Sequence, residues 1–242
     1  MAKTASLVLI GNEILSGKIA DANAPYLCRE LRELGVDVRR ISVIPDEVDV
    51  IAAEIAACAR GWDIVFTSGG VGPTHDDVTM EGVARALGVP VVRHPELVAL
   101  LRRYYGDRLT ETHLKMAEVP EGAQLVADEA LRFPTIVAGN VYILPGVPEI
   151  FRQKFQAIRE RFRDQPYHLK NVFVSIGEGT LADYLNALLR EFPALLLGSY
   201  PELANPEYRV KVTLESRDAG YLAQALGALL SRLPATAVVK VT

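Results

Sequence analysis

Residues 62–88 read WDIVFTSGGVGPTHDDVTMEGVARALG. Asp63–Thr67 has the composition of a buried strand, and Ser68–Pro73 is a glycine-rich turn. A polar cluster follows (Thr74, His75, Asp76, Asp77), and then a helix, because Met80, Val83, Ala84 and Leu87 share one face at 3.6-residue spacing. Gly69, Gly70 and Gly72 permit a sharp turn and leave backbone amides unshielded by side chains. A turn of this kind feeding a helix start suits an anion, since free N–H groups and the helix dipole point the same way. The expected guest is a phosphate-bearing small molecule, held by those three amides with the Ser68 and Thr74 hydroxyls.

The two consecutive aspartates are the unusual feature. One Asp at a helix start is commonly an N-cap, worth about 1 kcal/mol. That explains either residue alone but not both, because two carboxylates repel a bound phosphate unless a cation or a proton lies between them. The pair predicts a divalent metal bridging to phosphate oxygens, or a general base.

Working outward, Ala5–Gly11 (ASLVLIG) is a continuous apolar run, as in a strand buried on both faces of a parallel sheet. A polar loop with Asn12, Glu13, Gly17, Asp21 and Asn23 leads to a helix carrying Leu27, Leu31 and Leu34 on one face, stopped by Gly35. Val36–Ile44 is the second strand, and Pro45-Asp46-Glu47 opens a second helix with Val48, Ile51, Ala52 and Ile55 inward. The order β-α-β-α-β-α with short connections predicts a mostly parallel sheet with helices on both faces, a three-layer α/β/α fold. Ligands of such sheets lie beyond the carboxyl ends of the strands. Glu13, Asp46, Asp76 and Asp77 should therefore face one crevice, although Asp is also common in such loops as a helix cap.

Pro90–Met116 reads as interrupted helix, with Arg102 and Arg103 on a solvated face and His113 and Lys115 unassigned. Phe133–Ala138 and Val141–Leu144 form a hairpin about Gly139-Asn140. Pro145-Gly146 then ends a strand and should place backbone against the crevice, before a helix from Glu149 to Arg163 whose alternating Arg and Glu residues at 152–163 are solvated. Asp164-Gln165-Pro166 is the linker, giving domains at 1–163 and 167–242. The second has the order β-α-β-β-α-β, a split βαβ arrangement.

The chain has 242 residues and a formal net charge of −4, which argues against a nucleic-acid surface. No apolar run approaches the ~20 residues of a membrane span, and MAKTASLVLIGNE carries no cleavage-type signal. Cys28 and Cys58 each lie in a helical pattern and read as reduced core thiols. A cytoplasmic protein is expected.

The motifs GNEIL (11–15), DANAPYLCRELRELGVDV (21–38), VIPDE (43–47), TSGGVGPTHDDVT (67–79) and LPGVPE (144–149) together resemble the molybdopterin-binding-like domain of the competence/damage-inducible protein A (CinA) family. They look even closer to the N-terminal domain of eukaryotic FAD synthases. GSYPE (198–202) and YRVKVTLES (208–216) resemble the region that follows in those proteins.

The resemblance implies a pyrophosphatase dependent on a divalent metal (Co²⁺, Mg²⁺ or Mn²⁺), acting on ADP-ribose or FAD, in a dimer or trimer. Matched to functional aspartates of adenylylating relatives, Asp46 and Asp77 are the catalytic candidates. Asp76, Asp77 and Glu13 are the metal candidates. Ser68, Gly69, Gly70, Gly72, Pro73, Thr74, Asn23, Pro145 and Gly146 are the substrate-binding candidates. Two other functions share the same cradle: molybdopterin binding or adenylylation, and a non-catalytic nucleotide-binding module. The adenylylating relatives carry Arg in place of His75 or Asp76. The chain ends at Thr242 without the amidase domain of many CinA proteins or the reductase-like domain of the synthases, so neither deamidation nor FAD synthesis is expected.

Overall fold

The structure, a computed structural model, describes residues 2–126, 131 and 133–242. It divides into two compact units, residues 1–164 and 165–242. No helix among the described residues is long and apolar enough to cross a membrane.

The first unit is built on a six-stranded sheet. Its strands are β1 (Thr4–Ile10), β2 (Asp37–Ile44), β3 (Ile64–Ser68), β6 (Gln124–Val126), β7 (Thr135–Ala138) and β8 (Val141–Leu144), with β4 (Val91–Arg93) and β5 (Glu118–Pro120) forming a separate antiparallel pair. The order across the main sheet is β2-β1-β3-β8-β7-β6. The first four strands are parallel; β7 runs against them, and β6, antiparallel to β7, shares their direction, so the sheet is mostly parallel. The helices are α1 (Asn12–Leu15), α2 (Asn23–Glu33), α3 (Val48–Gly61), α4 (Thr79–Leu87), α5 (Pro95–Tyr105), α6 (Glu111–Leu114) and α7 (Pro148–Ile158).

Strand β1 shows how one run of apolar residues makes three layers. Successive side chains point to opposite faces. Leu7 and Leu9 join Leu27 and Leu31 of α2 and Phe151 and Phe155 of α7 in one core. Val8 and Ile10 join Ile51 and Ile55 of α3, Val83 of α4 and Leu97 of α5 in the other. A strand buried on both sides has no polar face, which is why ASLVLIG is continuous rather than alternating.

The carboxyl ends of the four parallel strands are level. Leu9 pairs with Ser68, Ser68 with Leu144, and Ile10 with Ile44. The chain leaves β1 for β2 on one side and returns to β3 on the other, so the crossovers diverge above β1 and β3. At that switch point an open α/β sheet has its natural crevice.

Two segments differ from the sequence reading. The interrupted helix of 90–116 begins with strand β4, hydrogen-bonded to β5, and becomes helical only at Pro95, which takes the first helical position. The helix from Glu149 starts one residue earlier at Pro148, and its 152–163 face is not wholly solvated: Lys154 is buried, 9% exposed. Arg102 and Arg103 are exposed. His113 completes a capping box with Thr110 and stacks on Tyr105 at 3.9 Å. Cys28 and Cys58 are free thiols, and burial pushes both above their ordinary range.

The second unit holds β9 (His168–Val174), α8 (Glu178–Glu191), β10 (Leu196–Pro201), β11 (Val210–Ser216), α9 (Ala219–Arg232) and β12 (Val238–Val241). Its sheet is antiparallel throughout, in the order β10-β11-β9-β12. Both helices pack on one face, with Leu181, Leu185, Leu222 and Leu229 closing over Val172, Val174, Val212 and Leu214. This is the split βαβ arrangement.

Candidate functional site

A crevice of 590 Å³ opens at the carboxyl edge of the parallel strands, bounded by the loops after β1, β2, β3 and β8. Glu13, Asp46, Asp76 and Asp77 all line it, as the loop argument required, and Asp21 makes a fifth carboxylate. No Lys or Arg is among the lining residues.

Gly69 and Gly70 shape the floor. Both have positive φ, 109° and 63°, a region that L side chains avoid. A Cβ on Gly69 would strike the carbonyl oxygen of Ile10, and one on Gly70 the hydroxyl of Thr79. The turn is locked from below: Thr79 Oγ1 donates to Gly69 O at 2.9 Å, and Thr79 N donates to Gly70 O at 3.0 Å.

The amides of this turn are not equivalent, which corrects the expected cradle. Gly69 N–H donates to Leu144 O at 3.2 Å, continuing the β3–β8 ladder, so it is not available to a ligand. The amides of Gly70, Val71 and Gly72 have no protein acceptor among the described residues, and all three residues line the crevice. The amides open to a ligand are therefore those of Gly70, Val71 and Gly72, in place of the expected Gly69, Gly70 and Gly72.

The hydroxyls differ from expectation as well. Ser68 is buried, and its Oγ accepts from Asn23 Nδ2 at 2.9 Å. Thr74 is exposed outside the crevice lining, where its amide and hydroxyl both donate to Asp77 Oδ2, at 2.7 and 2.5 Å. Pro73 lies between these turns without lining the crevice.

Neither aspartate caps α4. The residue before the helix is Val78, with no side-chain cap, while Asp77 closes the Thr74 turn instead. Asp76 is exposed; the Thr74 hydroxyl, which it shares with Asp77, and then its own backbone amide hold its carboxyl below the ordinary range, with His75 and Lys115 adding a little. The His75 side chain is 99% exposed and stands 3.8 Å from Asp76. The capping explanation for the Asp pair does not apply here.

Asn23 joins the loops. Its side chain is 3% exposed and donates to Ser68 Oγ at the end of β3 and, at 2.8 Å, to Gly146 O beyond the end of β8. Its Oδ1 is buried without a partner among the described residues. Asp21 holds the start of α2 by accepting from Asn23 N and Ala24 N, both at 3.0 Å. Across the crevice, Asp46 Oδ2 accepts from Asn12 N at 2.8 Å, linking the loops after β1 and β2. Pro145 and Gly146 present backbone, as the sequence indicated.

No group of three His, Cys, Asp or Glu side chains among the described residues stands ready to enclose a metal ion. The donor set fits the looser arrangement in which one or two carboxylates share a hard cation with ligand phosphates and water. Asp46 and Asp77 each have one oxygen engaged by the protein and one without a protein partner among the described residues.

Sequence reasoning missed Lys154. Its Nζ donates to Pro134 O at 2.7 Å and Phe133 O at 2.9 Å, and burial pushes it down to about 8. The signal was present: Phe151, Lys154, Phe155 and Ile158 stand at i, i+3, i+4 and i+7, the buried face of α7.

A mostly parallel sheet with a glycine turn over its switch point defines an open α/β domain with its crevice at the carboxyl edge of the strands. Residues 6–164 match the family model described as "Probable molybdopterin binding domain", and residues 166–242 match "FAD synthase, middle domain". The chain belongs to the former family and carries the latter domain after it. A protein of Archaeoglobus fulgidus is 38% identical over 212 residues, covering 88% of this chain and 90% of that one. A "Probable FAD synthase" of Caenorhabditis elegans is 31% identical over 245 residues, covering 90% of this chain but only 47% of the worm protein, so this chain spans about half that relative. The crystal structure of CinA from Thermoplasma acidophilum, described as of unknown function, is 34% identical with a TM-score of 0.61, covering 67% of this chain and 100% of that one.

Proposed function

We propose that the crevice cleaves the phosphoanhydride bond of a nucleoside-diphosphate compound such as ADP-ribose or FAD, with a divalent metal ion. The observation that carries this reading is the charge of the lining: five carboxylates, no basic side chain, and three unbonded amides in one turn. Amides at Gly70, Val71 and Gly72 favour an anion. The carboxylates oppose a bare one, so an anionic ligand fits only together with a cation.

Asp76 and Asp77 would hold that cation, sharing it with ligand phosphates and water. When bound, it supplies neutralisation of the diphosphate and Lewis acidity. The chain's own residues do the rest. The Gly70–Gly72 amides orient one phosphate. Thr74 fixes the Asp77 carboxylate, and Asn23 holds the Pro145-Gly146 turn against the end of β3. Asp46, anchored through one oxygen, would accept a proton from the attacking water through the other.

The test is a hydrolysis screen of ADP-ribose, FAD, NAD and ATP with Co²⁺, Mg²⁺ and Mn²⁺. AMP released from one dinucleotide, and lost in Asp77→Ala, supports the reading. Equal turnover by Asp77→Ala would sink it. The family description favours a second reading on the same crevice, pterin binding or adenylylation, for which the outcome is tight pterin binding with no diphosphate cleavage.

A further inference from the structure

A second cavity of 150 Å³ adjoins the crevice, with Val71, Pro145 and Ile150 lining both. Its walls are otherwise apolar and include both thioethers, Met80 and Met116, beside Phe133, Ile136 and Ile143. Lys154 is the sole ionisable side chain in this lining. An ammonium has three donors. Two go to the carbonyls of Phe133 and Pro134, and the third has no protein acceptor among the described residues.

An apolar cavity of about this size takes one six-membered ring. Thioethers suit the edge of an aromatic ring. A buried donor without a partner calls for an acceptor on that ring. We propose that this recess receives the oxo-bearing six-membered ring of the ligand's heterocycle, with Lys154 donating to its carbonyl oxygen. The chemistry is that of a uracil, or of the oxo-pyrimidine edge of a flavin, pterin or guanine. Adenine fits poorly, because its corresponding edge carries an amino group that meets the ammonium donor to donor. The proposal rests on the crevice being the ligand site; of the two compounds named there it selects FAD, whose flavin has the oxo-bearing ring, over ADP-ribose, whose one base is adenine.

The chain has three methionines, Met1, Met80 and Met116. Methyl-labelled methionine in the full chain thus gives two reporters inside the recess and one remote from it in sequence. UMP and AMP are titrated with Mg²⁺ against the wild type, Lys154→Met and Met116→Phe; the last fills the recess while leaving the lysine in place. The expected result is movement of both the Met80 and Met116 signals by UMP, with UMP bound at least about tenfold more tightly than AMP. Lys154→Met and Met116→Phe should each erase that preference while AMP still binds. Met116→Phe decides the matter if Lys154→Met fails to fold. Equal binding of UMP and AMP by wild type, or an unchanged preference in Met116→Phe, overturns the inference. Binding that leaves both methyl signals still overturns it too, but leaves the diphosphate reading intact. Failure of both nucleotides to bind overturns the inference, while the diphosphate reading stands or falls by the hydrolysis screen.

Discussion

The backbone amide and the hydroxyl of Thr74 converge on a single oxygen of Asp77, at 2.7 and 2.5 Å. Gly72 lies against the same carboxylate, since a Cβ there would come within 2.6 Å of Asp77 Oδ2. The carboxylate is thus fixed by its own loop, three residues away, before any ligand arrives. Thr74→Val removes one of the two donors and should lower kcat for diphosphate hydrolysis about tenfold with little change in KM, whereas Thr74→Ser should restore it. Asp77→Ala should lower kcat by about a thousandfold or more. Steady-state kinetics on the substrate found in the screen checks both.

Gly69 is a conformational requirement of the turn, its amide being spent on Leu144. Its φ of 109° and the closeness of Ile10 O leave no room for a methyl group. Gly69→Ala should cost at least about 2 kcal/mol. That corresponds to a Tm lower by about 4–8 °C in a domain of this size, read by calorimetry.

Asn23 donates to both Ser68 and Gly146 from inside the fold. Asn23→Ala should cost about 1–3 kcal/mol by leaving those acceptors without donors. Asn23→Asp should cost more at pH 7, because a carboxylate has no hydrogen to offer and faces a carbonyl oxygen. Acidification should narrow the gap between Asp and Ala, as a protonated Asp regains one donor. Urea denaturation of the two variants at two pH values measures this.

Lys154 gives a pH dependence with a definite sign. Its folded value of about 8 is below its ordinary 10.5, so between those values the unfolded chain binds the extra proton. Stability from this residue therefore rises as pH increases from 8 to 10.5, by up to about 3 kcal/mol, and the deficit is full below pH 8. The difference in unfolding free energy between wild type and Lys154→Met, measured at pH 7.5 and pH 10, should shift in favour of wild type by that order.

The carboxylate-lined crevice should also report on cations alone. Millimolar Mn²⁺ or Mg²⁺ should raise the Tm of the wild type by a few degrees without nucleotide, through binding to the folded state. The shift should shrink in Asp77→Ala.

The parallel core and the crevice were legible because their signals are long. A continuous apolar strand such as ASLVLIG and helices with heptad-like faces leave few alternatives, and strand polarity then sends Glu13, Asp46, Asp76 and Asp77 to one edge. What escaped was short or shared. Strand β4 has three residues, too few to display alternation, and its existence depends on a partner 27 residues later, Val92 with Val119. The loss of the Gly69 amide to Leu144 depends on which strand lies beside β3, and spacing does not encode that. Lys154 sat on the correct helical face, but a lysine among arginines and glutamates reads as surface until the burial of Phe151, Phe155 and Ile158 orients the helix.

Five negative side chains around one opening would also act as a sieve. Free phosphate, sulfate or chloride approaching the Gly70–Gly72 amides from the crevice would meet like charge, while the same phosphate arriving with its own divalent partner would not. On the proposed reading, selection by net charge precedes selection by shape: anions that travel as cation complexes would enter, and simple salts would not block the turn.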